Sequence, residues 1–175
     1  MGSSWSRGQG WAVYGFTISY IHTKNDVYLR TAQKVADYVL ANLREDGLVP
    51  SDFRQPAEPW LEDSCGACVI AGGLLELADC LSNKDGRHED KSSGSTNIHG
   101  SNPEEKAALT YRQAALRILH AIADSRACWD ESCDAIVQGC STAYHSPGQN
   151  MTMVYADYFF IEAIWKLRGV GIRTW

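Results

Sequence analysis

Positive charge is scarce in this chain: 16 Lys and Arg stand against 21 Asp and Glu, for a net charge of -5. A phosphate backbone finds no basic surface here, which makes nucleic acid a poor partner. Long apolar runs are also missing. No stretch is continuously apolar over the roughly 18 residues a spanning helix needs, so no membrane segment is expected. The first ten residues, MGSSWSRGQG, lack the basic start and apolar stretch of a signal peptide, and the expected location is cytoplasmic. Metal-ligand spacing is absent as well. Cys65 and Cys68 form a CxxC, but no second pair and no His follow at zinc spacing. These two cysteines therefore read as small packing residues, and no metal site is expected. Cys128, Cys133 and Cys140 fall together in a loop, where a disulfide is an open option. In a secreted protein Asn150-Met151-Thr152 would be a glycosylation sequon.

What is present is helix. The chain has 175 residues, 45% of them apolar, enough for one domain with a core. Residues 9–22 carry two apolar stripes, Trp11, Tyr14, Ile18, Ile21 and Val13, Phe16, Tyr20, which predicts a helix buried on two sides. Residues 26–43 carry one stripe, from Tyr28 through Ala32, Val35 and Val39 to Leu43, with Asn25 as cap and Gly47 beyond the end. Residues 63–81 are apolar or small nearly all round; Gly66, Gly72 and Gly73 permit close helix approach, and Asp63 or Ser64 can cap. Residues 103–124 open on Pro103, a favoured first position, and return to one stripe. Residues 155–168 are apolar on most sides. Buried and half-buried helices thus alternate, as in stacked hairpins with an inner and an outer ring. The expected fold is all-α, part of an α/α toroid with about five to six helices of the ring. A simple bundle would give every helix one stripe. Residues 83–102 are nearly devoid of apolar side chains and read as a polar insertion within one domain spanning 1–175. The long connections 44–62 and 126–154 have the length of functional loops.

The segment Trp5-Ser6-Arg7-Gly8-Gln9-Gly10-Trp11 concentrates groups suited to an anionic sugar. Trp5 and Trp11 offer flat apolar faces to a pyranose ring. Arg7 offers a fork for a uronate carboxylate. Gln9 pairs with hydroxyls, and the glycines let backbone approach. The same residues admit a structural reading, in which Trp11 is core and Arg7 pairs with a local acid.

WSRGQGWAVYG, YLRTAQKVADYVL, EDGLVPSDF, DSCGACVIAGGLLELA and ADYFFIEAI follow one another in the order and spacing of the second half of glycoside hydrolase family 88. The chain thus resembles the unsaturated glucuronyl hydrolases along nearly its whole length, apart from 83–102. The related unsaturated rhamnogalacturonyl hydrolases usually have Asn where Gln9 stands. The resemblance implies a six-hairpin toroid acting on an oligosaccharide whose non-reducing end carries a 4,5-unsaturated uronic acid. An acid protonates the vinyl-ether double bond, water adds to the adjacent carbon, and the hemiketal opens. It implies no metal or organic cofactor, and it places Trp5, Arg7, Gln9 and Trp11 against the substrate. It also implies two catalytic aspartates upstream of the segment matched by Trp5–Trp11, where this chain has four residues. No catalytic residue is therefore assigned within the chain, and a non-catalytic, carbohydrate-binding fragment is the alternative reading.

The remaining candidates have structural readings beside functional ones. Asp63 is a helix cap. Asp52 lies on a cavity-side loop with its role open, and Asp157 stands at the start of the last inner helix, where a carboxylate suits the positive helix end. His145 reads as a solvated loop residue and His120 as part of an outer helix; Tyr144 and Tyr155 are rim candidates. Half a ring leaves the faces of 9–22 and 155–168 uncovered, and self-association through these toroid edges is expected.

Overall fold

The computed structural model describes residues 2–85 and 102–170. Five helices account for it: α1 (Ser6–Thr23), α2 (Asp26–Asn42), α3 (Ser64–Asp85), α4 (Pro103–Ser125) and α5 (Val154–Leu167). Among the described residues β-structure is limited to isolated bridges between loops. Each helix expected from periodicity is present. The polar segment 83–102 lies outside the described residues except for the last turn of α3 and Asn102.

Local chemistry sets the helix ends. Asn25 accepts from the Val27 amide at 3.0 Å and starts α2. Asn102 caps α4, with Pro103 in the first turn. Gly47, at φ +78°, turns the chain after α2 where a Cβ would meet the Arg117 carbonyl oxygen at 2.7 Å. Asp63 caps α3 through the Gly66 amide.

The helices form two layers. α3 lies between α1 and α5 in one row, while α2 packs behind α1 and α4 behind α3. The core is centred on α3: Val69, Ile70, Leu74, Leu75, Leu77 and Leu81 are at most 1% exposed. By length and composition alone Ser64–Ser82 could cross a membrane, but 89% of that window is buried inside the fold. It is apolar all round because neighbours surround it. α1 is held against it by absent side chains. A Cβ on Gly10 would meet Val69 and Ile70 at 3.0–3.2 Å, and one on Gly73 would meet the Tyr14 backbone nitrogen at 3.0 Å.

At the far end of the row a buried ion cluster ties three helices. Lys166 of α5 is 3.1 Å from Glu76 of α3 and donates to the Tyr14 hydroxyl of α1 at 3.0 Å. Tyr14 in turn donates to Glu162 at 2.8 Å. The outer helices are stapled by Tyr111 donating to Asp37 at 2.7 Å.

α1 and α5, which flank α3, each leave a face uncovered. Trp11 on α1 and Tyr158, Ile161 and Trp165 on α5 are 37–40% exposed, and Val154 is 83% exposed. Between them lies an apolar groove of about 510 Å3, lined by Trp11, Tyr14, Gly15 and Ile18 from one side and Tyr155, Tyr158 and Phe159 from the other. These are the faces that an open part-ring leaves without a partner.

Candidate functional site

The N-terminal ends of α1, α3 and α5 meet at one end of the row, and the loops 44–62 and 126–154 are woven over them. Ser6 donates to the Ser51 carbonyl at 3.1 Å, Asp63 to Val49 at 3.0 Å and Ser64 to Gly139 at 3.1 Å. The two loops are joined by Arg126, whose Nη2 donates to Glu62 at 2.9 Å. Three helix N-termini converging bring three partial positive charges to one place.

Arg7 stands at their centre. α1 begins at Ser6, three residues earlier than the stripes predict, so the Trp5–Trp11 segment is helical rather than a loop leading into a helix. Arg7 is 4% exposed. Its Nε and Nη2 donate to the two Asp63 carboxylate oxygens at 3.1 and 2.9 Å. Nη2 also donates to the Ser141 carbonyl, and Nη1 donates to the Tyr155 hydroxyl. Four of five guanidinium N–H groups are thereby engaged, one on Nη1 remaining. The bidentate fork expected to grip a ligand carboxylate is occupied by Asp63. The reason is burial: a desolvated guanidinium without a counter-charge would cost several kcal/mol.

Asp63 is fully buried and accepts also from the Ser141 and Gly66 amides. Burial pushes its carboxyl above the usual range, against the pull of Arg7 and these amides. For Arg7, burial opposes the charge, but the Asp63 hydrogen bonds and charge outweigh it and hold the guanidinium above its ordinary value. The guanidinium also lies 5.4 Å from both the Trp5 and the Tyr155 ring centroids, so it is sandwiched between aromatic faces. Trp5 is half-buried, and its buried Nε1 has no hydrogen-bond partner.

The structure thus gathers Trp5, Arg7 and Tyr155. Trp11 lies one turn beyond Arg7, edge-on to Phe159 at 5.2 Å, and opens into the apolar groove. It is exposed rather than core, and Tyr155 of the Arg7 cluster lines the same groove. Gln9 is separated from both Arg7 and Trp11 by two residues, roughly 200° around a helix, and so projects from the other side of α1. Of the four residues expected against the substrate, Trp5, Arg7 and Trp11 are thus set apart from Gln9 by helix geometry. Gly8 and Gly10 are helical, and Gly10 serves the α1–α3 contact rather than a ligand. Tyr155, only a rim candidate by sequence, is central because α5 starts one residue earlier than expected and points its first turn at Arg7.

The other acids are held by backbone. Asp52 accepts from the Ser4 amide at 2.9 Å and the Arg54 amide at 2.8 Å, latching the N-terminal residues to the loop. Asp157 accepts from Val137 at 2.8 Å and Ile136 at 3.2 Å. His145 and His120 are exposed. Cys65, Cys68 and Cys140 are buried beneath the Arg7 cluster as free thiols; burial pushes all three up, Cys140 to about 12. Cys128 and Cys133 are joined in a disulfide. Among the described residues no group of three or more His, Cys, Asp or Glu is arranged to hold a metal.

No protein-family model matches the chain. Curated relatives do. An unsaturated glucuronyl hydrolase of Bacillus sp. strain GL1 is 32% identical over 176 residues, covering 97% of this chain and 41% of that protein. One of Formosa agariphila is 27% identical over 181 residues, covering 98% of this chain and 38% of that protein. The crystal structure of the Bacillus sp. GL1 enzyme, described as responsible for the degradation of glycosaminoglycan, superposes with a TM-score of 0.75 at 32% identity and again 41% coverage. These relatives have the α/α toroid fold, to which the five helices conform as a part-ring. By sequence and by fold this chain is a relative of the unsaturated glucuronyl hydrolases, and it spans about two fifths of their length.

Proposed function

We propose that these residues form part of an unsaturated glucuronyl hydrolase and supply one wall of its sugar site, at the N-terminal ends of α1, α3 and α5. The carrying observation is similarity to such enzymes over 97–98% of the chain. The substrate class is an oligosaccharide ending in a 4,5-unsaturated uronic acid. In this reading Trp5 and Trp11 offer ring faces, and the free Nη1 hydrogen of Arg7 and the Tyr155 hydroxyl supply polar contacts. Asp63 fixes Arg7 in place. No metal or organic cofactor takes part.

The acids of this stretch are committed elsewhere: Asp63 to Arg7, Asp52 and Asp157 to backbone amides, Glu162 to Tyr14. The proton donor for the vinyl ether therefore comes from the portion of the hydrolase that the chain does not span, and the 175 residues alone bind without turning over. The test joins this chain to the complementary portion of the Bacillus relative and follows the ultraviolet absorbance of the substrate C4–C5 double bond. The hybrid consumes it and the 175-residue chain does not. Turnover by the 175 residues alone would overturn the division of labour. A hybrid that folds yet leaves several lyase-generated disaccharides intact would overturn the substrate class.

A further inference from the structure

The loop between α4 and α5 carries a disulfide apart from the Arg7 cluster. Residues 126–138 fold back as a pinched hairpin: Cys128 donates its amide to Ile136 at 2.7 Å, and Gln138 donates to Arg126 at 2.8 Å. The disulfide Cys128–Cys133 closes the tip over a sequence separation of five. Cys133 is exposed and Cys128 half-buried, whereas Cys65, Cys68 and Cys140 are buried.

Beside the disulfide is a groove of about 240 Å3, lined by both cysteines together with Asp130, Glu131, Asp134 and Asp157 and, among the described residues, by no basic side chain. The first three acids are exposed, while Asp157 is half-buried under its two backbone donors. The nearest cation in sequence, Arg126, is turned away and bound to Glu62. Any small reagent reaching the sulfurs enters a field of one sign.

We propose that Cys128–Cys133 is a thiol–disulfide exchange site whose acid-lined groove admits small cationic thiols in preference to anionic ones. A thiolate attacks the exposed Cys133 Sγ. The S–S bond breaks, a mixed disulfide forms at Cys133, and Cys128 leaves as thiolate and takes a proton from solvent. A second molecule of the thiol attacks the mixed disulfide at the non-protein sulfur. It releases the oxidised reagent as its own disulfide and Cys133 as a thiolate that is then protonated. The protein cystine is reduced to two thiols and two reagent thiols are oxidised. The change stays local, because the hairpin base is held independently by backbone bonds, by Asp157 and by Trp129, whose ring lies 6.2 Å from Phe160.

The test uses the full 175-residue chain, with cysteamine as the cationic and thioglycolate as the anionic thiol. Exchange is quenched by alkylation and mapped by mass spectrometry. The ratio of the two rates is divided by the same ratio for a small neutral disulfide, which removes the intrinsic reactivity of each thiol. The normalised ratio is about tenfold at low ionic strength, as for a cleft of one charge sign, and falls to within about twofold in high salt. Replacing the exposed acids together (Asp130→Asn, Glu131→Gln, Asp134→Asn) abolishes the preference. A normalised ratio near one at low salt overturns the proposal. So does alkylation of Cys128 and Cys133 in protein never exposed to reductant.

Discussion

The Arg7–Asp63 pair is the most consequential contact in the molecule, and a double-mutant cycle tests it. Asp63→Ala leaves a guanidinium that is 4% exposed without its counter-charge, because the remaining partners are the Tyr155 hydroxyl and the Ser141 carbonyl. Breaking a buried pair in this way costs about 3–5 kcal/mol. The same change removes the α3 cap, about 1 kcal/mol by itself. The two costs share the loss of one carboxylate, so the expected total is about 4–5 kcal/mol. That is a large part of the roughly 5–15 kcal/mol available to a domain. Arg7→Met strands the Asp63 carboxylate, which keeps its Ser141 and Gly66 donors, and costs less, about 3 kcal/mol. The double variant Arg7→Met, Asp63→Ala strands no charge and is expected at about 4–5 kcal/mol, well short of the sum of about 7–8, for a coupling of about 3 kcal/mol. Urea unfolding followed by far-ultraviolet circular dichroism reads all three. Additive costs, with a coupling below about 0.5 kcal/mol, would refute the view that Arg7 is a buried structural cation first and a ligand contact second.

Further outcomes follow from particular contacts. The uncovered faces of α1 and α5, with Trp11, Ile161 and Trp165 exposed, make the 175-residue chain self-associate and bind a hydrophobic dye; a dye-silent monomer in light scattering would contradict this. Lys166→Met leaves Glu76 and Glu162 facing each other without a cation and lowers stability by about 3–5 kcal/mol in the same urea assay. Gly47→Ala places a Cβ against the Arg117 carbonyl at positive φ and costs about 2–4 kcal/mol, strain and crowding together. For Asp52, burial pushes the carboxyl up, but hydrogen bonds from Ser3, Arg54 and Ser4 outweigh it and the folded pKa lies below the ordinary value. Its contribution is therefore fully present above the unfolded pKa, about 3.9, and is lost as pH falls through the folded one. Asp52→Asn should flatten that part of the acid-unfolding curve, and an unchanged curve would show that the latch does not depend on charge.

Helices and their order were legible from the sequence because burial imposes a period of 3.6 and the end signals are local: Asn25 and Asp63 accept from amides within three residues, and Pro103 fits a first helical turn. The uncovered edges were legible too, since apolar stripes on two sides of 9–22 and 155–168 demand more neighbours than five helices provide. The site was only half legible. Trp5, Arg7 and Trp11 were visible as residue types, but their grouping depends on where α1 starts, and Ser6 begins it without a side-chain cap. That shift of three residues brings Arg7 onto the helix, one turn before Trp11. The partner of Arg7 lies 56 positions along the chain and Tyr155 lies 148; no local pattern encodes such distances. The cysteines show the same division. Their burial in α3 follows from an apolar periodicity that any reader can trace. The choice of Cys133 rather than Cys140 as partner for Cys128 is tertiary: Asp157 and the hairpin bonds fold the tip back on itself, while Cys140 is drawn under the Arg7 cluster. The sequence by itself determined which segments are helical and which faces seek cover. Only the tertiary structure decided which charges are spent holding the fold and which groups stay free for a ligand, because burial, and with it the need for a counter-charge, belongs to the assembled helices.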